Sequence, residues 1–359
     1  VTSATAEVPS SIDDVNPQWL TAVLRADGTT PDSVTITEIR AEQIAVDTGF
    51  SSLLYRLHLT GDGVPDSVVV KLPAESEARG AMEMMGGYRR EVAFYQRVAG
   101  RAPMRTPHVY AARMAPNDTD FVLVLEDMRN WDNADHLAGL SLDRVRLCIA
   151  QLAGLHVWST DPANAPVLEA FPSLDGPMTR EIFPSVFGQG WQVYREKSQA
   201  PVPPVVAGYA ERFAEHAPMA LKALTERSML VHGDIRADNM FFDGDQLKVV
   251  DFQLTAQGVG AADIAYLVSQ GLPTQIRTGR DEELLREYLD QLGDRGLSDY
   301  SFDDAWRHYR FAVSYLMVLP TIILIGWDAL PERSRLLCLK LVDRAVATID
   351  EIDATEVFG

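Results

Sequence analysis

Residues 229–252 read MLVHGDIRADNMFFDGDQLKVVDF, and three polar side chains in this short stretch are of the types that phosphoryl chemistry needs. Transfer of a phosphoryl group to an alcohol calls for a carboxylate that takes or orients the hydroxyl proton. It also calls for hard oxygen ligands that hold magnesium, which bridges and neutralises the phosphates. Asp234 fits the first role, and Asn239 with Asp251 fits the second. Asp243-Gly244-Asp245 between MFF and LKVV is a hairpin signal, and the hairpin would return Asp251 beside the loop that carries His232, Asp234 and Asn239. His232 reads as a hydrogen-bonded residue bracing that loop. The competing reading is that these Asp and Asn residues merely cap turns.

HGD, Asn at the fifth position after that Asp, and then Asp251-Phe252 resemble the aminoglycoside phosphotransferase and choline kinase-like superfamily. The Asp-Phe-Gln ending and the Met-rich loop are most similar to its ecdysteroid-kinase-like and general phosphotransferase branches. The resemblance implies an α+β, protein-kinase-like two-lobed fold, with ATP and Mg2+ as cofactors and a small hydroxylated molecule as acceptor. It implies adenine contact through the Glu126 carbonyl and the Met128 amide in FVLVLEDMRNW. It also makes Asp263, in AADIAYLV, a structural brace of the catalytic loop.

In such a fold a strand lysine meets the phosphates and is oriented by a helix glutamate. Lys71, at the end of Val-Val-Val-Lys, fits that lysine, with Glu91 as first and Glu83 as second choice of partner. A lysine turned inward after three valines is costly unless paired; the other reading is a solubilising charge on an edge strand. The phosphate-covering turn would lie in AVDTGFSSLLYRL, where Gly49 permits backbone approach and Ser51 and Ser52 can donate hydrogen bonds. An ordinary hairpin turn reads equally well there. Acceptor contacts are sought among Trp131, Asp132, His136, Trp191, Tyr194, Tyr266 and Trp327, each of which also reads as a core or surface residue.

These residues must be positioned by two kinds of chain. A polar arm and a short helix (WLTAVLRA) precede three period-two strands, VTITEIRAEQI, SSLLYRLHL and SVVVKL; a helix in YRREVAFYQRVAG and two more strands at 108–113 and 121–125 follow. Beyond residue 125 helical patterns dominate, at 142–158, 205–227, 281–292 and twice after 302, interrupted by the 229–252 island. A small antiparallel N-terminal part, 1–125, and a larger helical part, 126–359, are therefore predicted. The apolar run 311–327, broken by Pro320, reads as a buried core helix.

Composition narrows the function. At 359 residues with 47% hydrophobic and 23% charged residues, the chain is an ordinary globular one, long enough for two parts. Its 32 Lys and Arg against 51 Asp and Glu leave a net charge of −19, so neither nucleic acid nor anionic membrane is an expected partner. Cys148 and Cys338 lie in apolar helical patterns and read as reduced core residues, and no basic start precedes an apolar run, so a cytoplasmic location is expected. No Ala-Pro-Glu follows Asp251, which argues against a switchable protein kinase. The rivals are a non-catalytic nucleotide-binding relative and a metal-dependent hydrolase using His232, Asp234 and Asp251.

Overall fold

The computed structural model describes residues 8–45, 52–74 and 77–359. The chain divides into two compact units, Val1–Ala99 with Thr106–Trp131, and Gly100–Arg105 with Asp132–Gly359. Residues 126–131, read from the sequence as opening the helical part, belong to the first unit. Glu126 still pairs with Val68 in the sheet, and the Asp127 carboxylate is held by Arg56 (2.7 and 3.2 Å) and by the Ser67 hydroxyl (2.6 Å). Residues 100–105 join the second unit, where the Arg105 backbone bonds Gln151 and Val249.

The first unit opens with α1 (Pro17–Asp27). Asn16 caps it by accepting from Trp19 N at 2.9 Å, and Gly28, at φ 77°, ends it in the left-handed conformation that a Cβ would strain. Strands β1 (Thr35–Ile44), β2 (Ser52–Asp62) and β3 (Ser67–Pro73) follow, then helices α2 (Glu77–Met85) and α3 (Gly87–Arg97), then β4 (Val109–Met114) and β5 (Phe121–Glu126). The five strands form one antiparallel sheet in the order β1-β2-β3-β5-β4. Val68, Val70 and Leu72 of β3 share a buried cluster with Trp19, Leu20, Val23 and Leu24 of α1. Strand side chains alternate, so Lys71 must project from the opposite face. β3 is an interior strand, which removes the edge-strand reading of Lys71. α2 was not foreseen, since Gly80 and scattered charges mask its period.

The second unit begins with β6 (Asp132–Asn133) and runs through helices α4 (Leu142–Thr160), α5 (Ala165–Leu168), α6 (Phe183–Lys197), α7 (Pro204–Glu211) and α8 (Phe213–Leu224) to β7 (Met229–Val231). The island then supplies a 3-10 turn (Ala237–Asn239), β8 (Met240–Asp243), β9 (Gln246–Val249) and β10 (Ala256–Gly258). It is followed by α9 (Ala261–Gly271), α10 (Thr274–Arg277), α11 (Asp281–Asp294), α12 (Phe302–Leu316), α13 (Val318–Ile323) and α14 (Glu332–Glu351).

Two sequence readings are corrected here. The helix expected at 205–227 is two, broken at Arg212 (φ −108°, ψ 15°). The apolar run 311–327 is not one helix either: α12 gives way to α13, whose first turn accommodates Pro320. The stretch Phe302–Gly326 is long and apolar enough to cross a membrane, but most of it is buried inside the unit, with α12 packed on α9.

Candidate active site

Two short ladders bracket the loop after β7. β10 pairs antiparallel with β7, and β8 pairs with both β9 and β6, so the chain leaving Asp251 returns to the strand that leads into His232. The two-residue turn Gly244-Asp245 closes the β8–β9 hairpin, with Gly244 at φ 57°. Val250 N donates to Asn239 O at 3.0 Å, which ties the end of that hairpin to the 3-10 turn.

Asp263, at the start of α9, holds the loop backbone. Its Oδ2 accepts from His232 N at 2.7 Å and its Oδ1 from Gly233 N at 3.0 Å, while Oδ2 also faces His156 Nε2 at 3.2 Å. His156 continues to the Tyr288 hydroxyl at 2.8 Å. His232 spans the two strands of the motif. Its Nδ1 accepts from Asp234 N (3.2 Å), so its Nε2 carries the proton donated to Val250 O (3.1 Å), one residue before Asp251. Both nitrogens are thereby occupied in bracing the loop.

Asn239 is 6% exposed and donates through Nδ2 to Asp234 O at 2.9 Å, which leaves its side-chain oxygen for another partner. Asp251 adopts φ 66°, a left-handed conformation that costs a non-glycine residue of order 1–3 kcal/mol, which aspartate tolerates better than most, and that clusters at functional positions. A carboxamide oxygen and a carboxylate are the hard donors that magnesium takes, with phosphates and water completing its shell. Among the described residues no group of three or more His, Cys, Asp or Glu side chains is arranged to hold a metal, so no all-protein cage of the transition-metal kind is present there.

The Asp234 carboxylate is 17% exposed and meets Arg236 Nε at 3.1 Å and the Tyr266 hydroxyl at 3.4 Å. Burial pushes its pKa up, the Arg236 guanidinium pulls it back, and the Asp251 charge adds to the upward push. The same pairing raises the pKa of Arg236. Neither Arg236 nor His156 was singled out in the sequence. Arg236 had a usable signal, lying two residues after the candidate base; His156, in an apolar stretch of α4, had none.

In the first unit, Lys71 Nζ donates to Glu91 Oε1 at 2.7 Å, with side chains 8% and 1% exposed. Glu83, the second choice, pairs with Arg79 instead (2.6 Å). Ser52 opens β2 and is buried; Gly49 and Ser51 lie outside the described residues. Glu126 ends β5 and accepts from His108 N at 2.8 Å, and Met128 is buried with its carbonyl accepting from Trp131 N at 2.9 Å.

The acceptor candidates scatter. Tyr266 reaches Asp234, whereas Trp191 and Tyr194 are buried in the second unit, stacked along α6 with Phe187, and Tyr194 donates to Asp343 at 2.9 Å. His136 is wholly buried. Its Nδ1 accepts from Ala237 N at 2.8 Å, and burial together with the Arg236 and Arg344 charges holds its pKa well down, as a neutral acceptor requires. Asp132 is exposed and paired with Arg144. The Trp327 ring is met by Lys197 (5.5 Å) and Arg335 (5.3 Å), and Trp131 is half-buried in the first unit.

A model of the ecdysteroid kinase-like family matches residues 47–299. No curated protein matches the chain. Among solved structures, a choline kinase from Cryptosporidium parvum Iowa II is similar at TM-score 0.58 and 10% identity, covering 96% of this chain and 100% of that one. A GDP complex of aminoglycoside 2′-phosphotransferase-IIIa is similar at TM-score 0.53 and 14% identity, covering 93% and 99%. An ethanolamine kinase from Plasmodium vivax is similar at TM-score 0.53 and 12% identity, covering 95% and 90%. At these identities the likeness establishes the fold, which is kinase-like: an antiparallel-sheet unit followed by a larger helical one.

Proposed function

Since the chain belongs to the ecdysteroid kinase-like family, we propose that it is an ATP- and magnesium-dependent phosphotransferase acting on a hydroxyl group of a small molecule. Asp234 orients the acceptor hydroxyl and takes its proton. Asn239 and Asp251 would hold the magnesium ion, which when bound neutralises charge on the phosphates. Lys71, kept in place by Glu91, is the residue this reading assigns to the nucleotide phosphates. The observation that carries this reading is the Asp234 loop. Its backbone is pinned by Asp263, the Asn239 amide is committed to it, and Asp251 is held in a strained conformation. A relative that only bound nucleotide would have no need of the Asp234 carboxylate.

Most of the acceleration would come from orientation and fixed charge rather than covalent chemistry. The test is Asp234→Asn with Mg-ATP and a panel of hydroxylated acceptors. kcat should fall by about 100-fold or more while the nucleotide KM stays within about twofold. Near-normal turnover in this variant would refute the assignment of the base.

A further inference from the structure

The two oxygens of Asp234 are not equivalent. Oδ1 forms an ion pair with Arg236 Nε at 3.1 Å, not aligned as a hydrogen bond, and accepts a long bond from the Tyr266 hydroxyl at 3.4 Å, whereas Oδ2 has among the described residues one hydrogen bond, also long, from Asn239 Nδ2 at 3.5 Å. Tyr266 is 3% exposed on α9, three residues after Asp263, and residues three apart on a helix share a face. One face of α9 therefore holds the loop twice, its backbone through Asp263 and its carboxylate through Tyr266. Arg236 is anchored by the loop itself, since Arg236 N donates to Asp234 O at 2.8 Å.

We propose that Tyr266 and Arg236 are positioning residues that clamp Oδ1 of Asp234 and so present Oδ2 as the oxygen that receives the acceptor. Tyr266 thereby changes from an acceptor-pocket candidate to a support of the base. In the reaction, the acceptor oxygen bonds to the transferred phosphorus, and its proton passes to Oδ2. The bond from phosphorus to the bridging oxygen breaks, with its electron pair leaving on ADP. A carboxylate free to rotate would offer either oxygen, and misplacement of a reacting group by about 1 Å costs on the order of 100-fold. This inference rests on the phosphotransferase reading and deepens it.

The test compares the full chain with Tyr266→Phe, Arg236→Met and Arg236→Lys, each alone and combined with Asp234→Asn, by steady-state turnover of Mg-ATP and by thermal unfolding. Tyr266→Phe should lower kcat by about 10- to 100-fold with nucleotide KM and Tm unchanged; Arg236→Met should lower kcat similarly with nucleotide KM unchanged, and its Tm should fall because Asp234 loses its charged partner. In the Asp234→Asn background each should cost less than about twofold, because the carboxylate they act through is gone. Arg236→Lys, which keeps the charge without the fork, should recover part of the Arg236→Met loss. Wild-type kcat in Tyr266→Phe and Arg236→Met, or undiminished losses on top of Asp234→Asn, would overturn the clamp while leaving the enzyme reading intact. If the wild-type protein turns over Mg-ATP no faster than Asp234→Asn, the phosphotransferase reading falls, and the clamp falls with it.

Discussion

Gly233 shows how little freedom the loop has. It sits at φ 80°, and a Cβ there would come within 2.3 Å of Leu254 O, so glycine answers both a backbone and a space requirement. Its neighbour in the network, Asp263, makes the loop sensitive to acid. Burial alone would raise the Asp263 pKa. The hydrogen bond and charge of His156 and the Gly233 N–H outweigh it, and the net shift is downward. A carboxylate with a depressed folded-state pKa contributes stability above its unfolded pKa and loses it as pH falls through the folded one. Chemical unfolding measured as a function of pH should therefore show a steep loss below about pH 4 in the wild-type protein. Asp263→Asn should be less stable at neutral pH and flatter on that acid limb. An acid limb of unchanged slope would contradict the role.

The pairing of Lys71 with Glu91 is a product of two elements with different periods. β3 turns Val68 and Val70 toward α1 and Lys71 away, while α3 buries Glu91 beside Tyr88, Val92 and Tyr95. Both periods were legible, and so was the partnership across 20 residues. Removing one member of a buried pair costs about 3–5 kcal/mol. Glu91→Ala should lower the thermal midpoint of the first unit by several degrees and raise the nucleotide KM, measured by calorimetry and by ATP titration. α2, α6 and α9 were not read from the sequence. α9 is buried all round, which erases the amphipathic stripe by which a helix is found.

The family match ends at residue 299, but the second unit does not. α12 packs on α9, the helix that carries Asp263 and Tyr266, and α14 contributes the buried Arg344, which donates to the carbonyls of His136, Leu137 and Gln270. A chain ending at 299 would uncover the α9 face and leave those carbonyls without their donor. Such a truncation should show no cooperative unfolding transition in the second unit and no near-ultraviolet dichroism from its aromatic residues. A folded, active truncation would show that α12–α14 are dispensable. The net charge of −19 is a property of the surface and has no part in this packing.

Chemical identity and local order were set along the chain. HGD, the Asn five residues on, and the Asp251-Phe252 pair specify which groups can meet phosphate and metal, because residue type and short spacing survive in any packing that keeps the hairpin. Period-two and 3.6-residue patterns likewise marked most strands and several helices. Packing decided the rest. Only the placement of α9 against the loop brings Tyr266 to Oδ1 of Asp234, and only the depth of α6 turns Trp191 into a core residue. Contacts between residues 30 or more positions apart depend on which buried faces meet, and no local pattern encodes that choice.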